Sequence, residues 1–194
     1  MWVSAAMRFL RVSVRLAFLA IFLIAPVAAK EPKAPAHLRE AYLLWQEGYQ
    51  LHLAGAYEEA IKRFEASIEL HPTAEAHTFL GWSMSYLGRL EEAIEECKKA
   101  IAVDPDYGNP YNDIGVYLID LGRPDEAIGW LEQAISAKRY CCYQFPHFNL
   151  GRVQLMKGQL KEAKRSFERA LSYDPNYLPA HQGLAFIRSQ GEEL

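Results

Sequence analysis

Between Ala41 and Tyr177 the order of small, apolar and polar residues returns about every 34 positions, in four units that begin near Ala41, Ala74, Gly108 and Gln144. Position 8 of each unit is a glycine (Gly48, Gly81, Gly115, Gly151), and so is position 15 (Gly55, Gly88, Gly122, Gly158). Position 20 is always alanine (Ala60, Ala93, Ala127, Ala163), and position 27 is Ser67, Ala100, Ala134 or Ala170. This spacing predicts a helix over positions 1–14, a turn at 15 and a second helix after it. Small side chains at 8 and 20 let the two helices approach closely, while 20, 24 and 27 share one helical face. Pro72, Pro105 and Pro175 at position 32 stop the second helix and turn the chain into the next unit. Each hairpin then needs a neighbour to cover its open face, which is the physical reason for the repetition.

The small residues at 8, 15, 20 and 27, the bulky residue at 24 (Phe64, Leu131, Phe167) and the proline at 32 together resemble the tetratricopeptide repeat family over residues 41 to about 177. The resemblance implies an all-α fold, a right-handed α-α superhelix of four hairpins with repeats at about 41–73, 74–107, 108–143 and 144–177. The tail over 178–190 looks like the family's capping helix, with His181, Leu184 and Ala185 at first-helix positions. Three departures stand out. Cys97 replaces the bulky residue at position 24 of the second unit, so slack packing is expected there. The first junction is one residue short. The third is two residues long, runs through RYCCYQFP and has Arg139 in place of the proline, so a disturbed step is expected between units three and four.

Ahead of the repeats, Arg8, Arg11 and Arg15 are followed by an apolar run from Leu16 to Ala29 and then by a polar stretch. This layout predicts a secretory signal peptide over residues 1–29, cut after Ala29, with residues 30–40 a linker or helix extension. Fourteen apolar residues span about 21 Å as a helix, short of the roughly 30 Å hydrocarbon core, so cleavage is favoured over an uncleaved membrane anchor. The expected location is exported, and periplasmic in a bacterium, with the membrane touched only through this segment.

The 194 residues are 51% hydrophobic and 23% charged, the range of a folded protein. The formal charge of −3 hides an acidic remainder: without residues 1–29, 18 basic residues face 24 acidic ones. No basic stripe is available for phosphates, so no nucleic-acid partner is expected. Phosphate loops, nucleophile elbows and HExxH motifs are absent from the sequence, and no enzyme activity, metal or cofactor is expected. His77, His147 and His181 all fall at position 4, where a packing role is expected, whereas His52 at position 12 could touch a ligand. Cys141 and Cys142 could pair with each other, with Cys97 or across two molecules. As a nucleophile, either would need a neighbouring base that the sequence does not supply.

In the tetratricopeptide family the first helices line the concave side, and positions 2, 5, 9, 12 and 13 point into it. The resemblance therefore implies a groove holding Tyr42, Trp45, Tyr49 and His52, then Trp82, Ser85 and Tyr86, then Asn109, Asn112 and Asp120, then Phe145, Phe148, Arg152 and Met156. Such a face suits a protein or peptide partner, with aromatic anchors and Asn side chains bonding to its backbone. The family's clamp for a C-terminal carboxylate needs Lys and Asn at positions 5 and 9 of the first unit, where this chain has Trp45 and Tyr49. The expected role is a scaffold that holds a partner of an envelope assembly; the alternative is a self-associating structural protein using the same aromatic face as its homo-oligomer interface.

Overall fold

The computed structural model describes residues 35–191; the signal-peptide reading of residues 1–29 and residues 30–34 of the linker lie outside the described residues. Among the described residues nine helices follow one another: α1 Ala36–Leu53, α2 Tyr57–Leu70, α3 Ala74–Tyr86, α4 Leu90–Val103, α5 Asn109–Asp120, α6 Pro124–Ser136, α7 Gln144–Met156, α8 Leu160–Tyr173 and α9 Leu178–Ser189. The four hairpins are α1–α2, α3–α4, α5–α6 and α7–α8, and each second helix also packs on the first helix of the next unit, ending with α8 on α9. The fold is an all-α solenoid with a final capping helix. Successive first helices approach one another while successive second helices do not, so the first helices form the inner side. None of the described helices is long and apolar enough to cross a membrane.

Local chemistry sets each bend. Gly88 ends the first helix of its unit at φ 75°, a left-handed conformation that costs a side-chain-bearing residue. Acidic pairs such as Glu58–Glu59, Glu91–Glu92 and Asp125–Glu126 occupy the first turns of second helices, where the helix dipole favours negative charge. That placement, and not catalysis, accounts for much of the acidic character of these helices. The alanines at position 20 are fully buried between paired helices.

Position 24 fills the gap left by the glycine at position 8. In the fourth unit a Cβ added to Gly151 would lie 2.5 Å from the Phe167 ring, so the glycine is required for the ring to fit. Cys97 corrects the expectation of slack packing. It is fully buried, and the nearest atom to a Cβ built on Gly81 is the Ala93 carbonyl oxygen at 3.1 Å instead of a position-24 side chain. The helices of the second hairpin have closed backbone to backbone over the smaller thiol, which remains free; burial holds its pKa well above the ordinary thiol value.

The long third junction folds back on the second. The Arg139 N–H donates to the Asp106 carbonyl at 2.8 Å and Gly108 N–H donates to the Arg139 carbonyl at 3.1 Å. The guanidinium lies 4.1 Å from the Tyr107 ring centre and pairs with Glu75 and Asp104, both at 2.6 Å. Cys141 and Cys142 in this insert are joined to each other as a vicinal disulfide. Restoring the family's proline with Arg139→Pro removes the N–H, the stacking and both ion pairs. It should lower stability by about 1–2 kcal/mol, read as a lower urea midpoint at unchanged slope.

Candidate functional site

The inner face begins with three rings on α1. Tyr42, Trp45 and Tyr49 are spaced so that they share one side of the helix, and they stack in a row with centroid separations of 6.2 and 5.6 Å. Phe79 of α3 meets Trp45 and Tyr49 edge-on at 5.6 and 5.2 Å, the favoured quadrupole geometry. His52 is buried, stacks on Trp82 at 6.0 Å and lies edge-on to Tyr86 at 5.4 Å. Its Nδ1 is 3.0 Å from Ser83 Oγ, whose own hydrogen goes to the Phe79 carbonyl; the imidazole therefore carries its hydrogen on Nδ1 and donates. Burial lowers the His52 pKa, which suits the neutral ring. Tyr86 is 64% exposed and stacks on Tyr57, the first residue of α2, at 4.7 Å.

From Trp82 onward the rings give way to a chain of hydrogen bonds across three first helices. The Trp82 indole N–H donates to Asp113 Oδ2 at 2.6 Å, and Asn112 Nδ2 donates to Asp113 Oδ1 at 3.3 Å. Asn149 Nδ2 donates to Asn112 Oδ1 at 3.1 Å, and Arg152 donates to Asn149 Oδ1 at 3.2 Å while pairing with Asp120 at 3.5 Å. Asp113 is buried, and burial pushes its carboxyl up to about 7 against the opposing pull of the Asn112 and Trp82 hydrogen bonds. At the far end Phe148 packs on Phe167 and Tyr177, and Met156 is 57% exposed.

The residues singled out in the sequence thus divide into two sets. Trp45, Tyr49, Trp82, Phe148 and Arg152 are half-buried and Tyr86 is exposed, so all six present surface. His52 and Asn112 are buried, with the polar groups that would greet a ligand already engaged inside the wall. Phe79, Tyr57, Asp113 and Asn149 went unnoticed in the sequence. Phe79, Asp113 and Asn149 all stand at position 6, one residue beyond the positions the family points inward, and their regular recurrence was the available signal. Among the position-4 histidines, His77 is buried and its Nδ1 sits 2.8 Å from Glu96 Oε2. Lys99 holds the other Glu96 oxygen at 2.6 Å. Although burial opposes it, the hydrogen bonds from His77 and Lys99 lower the Glu96 pKa. His147 is half-buried and stacks on Tyr173 at 5.5 Å. His181, by contrast, is exposed and lies 2.8 Å from the Pro175 carbonyl.

Models of the tetratricopeptide repeat match residues 74–107, 111–139 and 145–177. The photosystem I assembly protein Ycf3 of Synechococcus is 30% identical over 112 residues, covering 52% of this chain and 65% of that protein. The chain spans less than two thirds of the length of the curated relatives it matches. Among solved structures, pilF of Pseudomonas aeruginosa is 25% identical with a TM-score of 0.69, covering 82% of this chain and 80% of that one. MamA is 26% identical with a TM-score of 0.62, covering 70% of this chain and 78% of that one.

Proposed function

Because the chain is a tetratricopeptide repeat protein, we propose that it is an exported, non-enzymatic scaffold that holds a partner polypeptide along α1, α3, α5 and α7 in support of an envelope assembly. The observation that carries this reading is the exposure of large apolar side chains on the first helices: Tyr42, Tyr86, Phe145 and Met156 remain open to solvent beside a wall already stiffened by stacking and buried hydrogen bonds. A rigid inner face loses little further freedom when a ligand binds. The name of the Ycf3 relative supports an assembly role, and the basic, apolar, small-residue order of residues 1–29 supports export. Trp45, Tyr49, Trp82, Phe148 and Arg152 supply the contact surface with Tyr86, and His52 and Asn112 hold it in shape.

Placing the photocrosslinker p-benzoylphenylalanine at Tyr86, Arg152 or, on the outer side, Glu95 in the native host tests this. Adducts with another polypeptide are expected from Tyr86 and Arg152 and not from Glu95. Equal adducts from Glu95 would remove the groove, and adducts only with a second copy of the chain would replace it with self-association. A disulfide between copies is not expected, because Cys97 is buried and Cys141 is bonded to Cys142.

A further inference from the structure

The short first junction leaves a hole that the other three fill with their own tyrosines. At the fourth junction Tyr177 puts its ring 5.6 Å from Phe145 and 5.4 Å from Phe148, at positions 2 and 5 of the fourth unit. At the third, Tyr140 presses on position 1 of its unit, so that a Cβ on Gly108 would lie 2.5 Å from it. At the second, Tyr107 sits under Arg139, which also pairs with Glu75 at position 2. The first junction has no residue to spare: Pro72 is followed by Thr73, whose hydroxyl accepts from Ala76 N–H at 3.1 Å to cap α3, and then by α3 itself.

What remains is a cavity of about 250 Å³ walled by Leu38, Ala41, Tyr42, Trp45, Ser67 and Thr73. Apolar cavities of about 150 Å³ already hold a benzene ring. His71 and Glu75 also line it, but the Ser67 hydroxyl is taken up by the Ala41 carbonyl at 2.8 Å and the Glu75 carboxylate by Arg139 at 2.6 Å, so the remaining walls are chiefly hydrocarbon and aromatic. Tyr42 and Trp45 stand at the positions that Phe145 and Phe148 hold around Tyr177. Tyr42 is 57% exposed where its counterpart Phe145, beside a filled slot, is 38% exposed. The Trp45 indole N–H has no acceptor among the described residues.

We infer that this slot receives an aromatic side chain, a tyrosine or phenylalanine, from the partner polypeptide that the adjoining aromatic row holds. The occupant is named by the three internal copies of the site, each of which takes a tyrosine. It is assigned to a partner because, with residues 1–29 removed as the export reading proposes, residues 30–34, the stretch of chain just before Pro35, contain no aromatic residue. The inference rests on the groove reading and deepens it by fixing one anchor of the ligand.

The test is a titration of the ¹⁵N-labelled full chain with N-acetyltyrosinamide and, in parallel, N-acetylleucinamide, followed on the indole N–H signals of its four tryptophans. The tyrosine probe should move the Trp45 signal saturably and leave Trp82 and Trp130 in place, with the leucine probe about tenfold weaker. A tyrosine inserted between Thr73 and Ala74 restores the 34-residue spacing and should abolish the response. His71→Trp, at an exposed residue on the slot's rim, should weaken it about tenfold without touching the junction backbone, and so covers the case in which the insertion unfolds the protein. Equal response to both probes, or an unchanged response in His71→Trp, overturns the inference. No response to either probe also overturns it, the slot then being held by the chain's own preceding segment or a second copy. Failure of crosslinking at Tyr86 with intact probe binding would remove the groove and leave the slot, so the two failures are distinguishable.

Discussion

Asp113→Asn should make the protein more stable at pH 8 and strip out a large part of its pH dependence. The carboxyl titrates at about 7 in the folded chain against 3.8 ordinarily, so the folded state holds a proton that the unfolded state has lost between those values. Stability therefore falls as pH rises from about 4 to 7 and stays low above it, and the ionised group costs about 4 kcal/mol at pH 8. An asparagine keeps an oxygen for the Trp82 N–H but turns an amide toward Asn112, which gives back about 2 kcal/mol. The expected gain is about 2 kcal/mol at pH 8, with a small loss near pH 5, measured by urea unfolding across that range. His52 and His147 act in the opposite sense, since burial lowers both pKa values and their contribution is lost as pH falls below 6.5. The difference between variant and parent isolates Asp113 from them. A variant whose stability follows pH as steeply as the parent's would show that Asp113 is not the group responsible.

Phe167→Ala should cost about 4 kcal/mol. The ring is 1% exposed and is flanked by two glycines: a Cβ on Gly151 would lie 2.5 Å from Cε1, and one on Gly183 would lie 2.5 Å from Cε2. It is thus the joint between the fourth hairpin and α9, and the two glycines that face it have no side chains with which to fill the void. Because each repeat touches only its neighbours, the loss should be local. Hydrogen exchange should show α8 and α9 opening far more often while α3 and α4 keep their protection. Uniform loss of protection along the chain would mean that the array melts as one body.

The hairpins were legible because small residues are demanded wherever two backbones cross, and that demand leaves a regular imprint. Gly88, Ala93 and Pro105 place a turn, a crossing and a stop without reference to anything distant. The buried polar chain was not legible, because Trp82, Asp113, Asn112 and Asn149 come from three helices and their pairing depends on how far each unit rotates against the last. The family resemblance likewise implied that Asn112 faced a ligand, although its amide is consumed within the wall. The effect of Cys97 also escaped, because a smaller side chain can leave a void or draw the helices together, and only the backbone's freedom to move decides between them. Arg139 was marked as an irregularity, but its partners Glu75 and Asp104 lie 64 and 35 residues away.

The links between repeats are unequal in kind. The second, third and fourth are strapped by directional bonds, from Trp82 to Asp113 and from Asn112 to Asn149, and by the reach of Arg139 to Glu75. The first adheres to the second largely through rings meeting edge-on, with one hydroxyl-to-imidazole contact. Added salt should therefore loosen the Arg139 strap of the later links, whose charges are part-exposed, while leaving the apolar grip of the first unchanged.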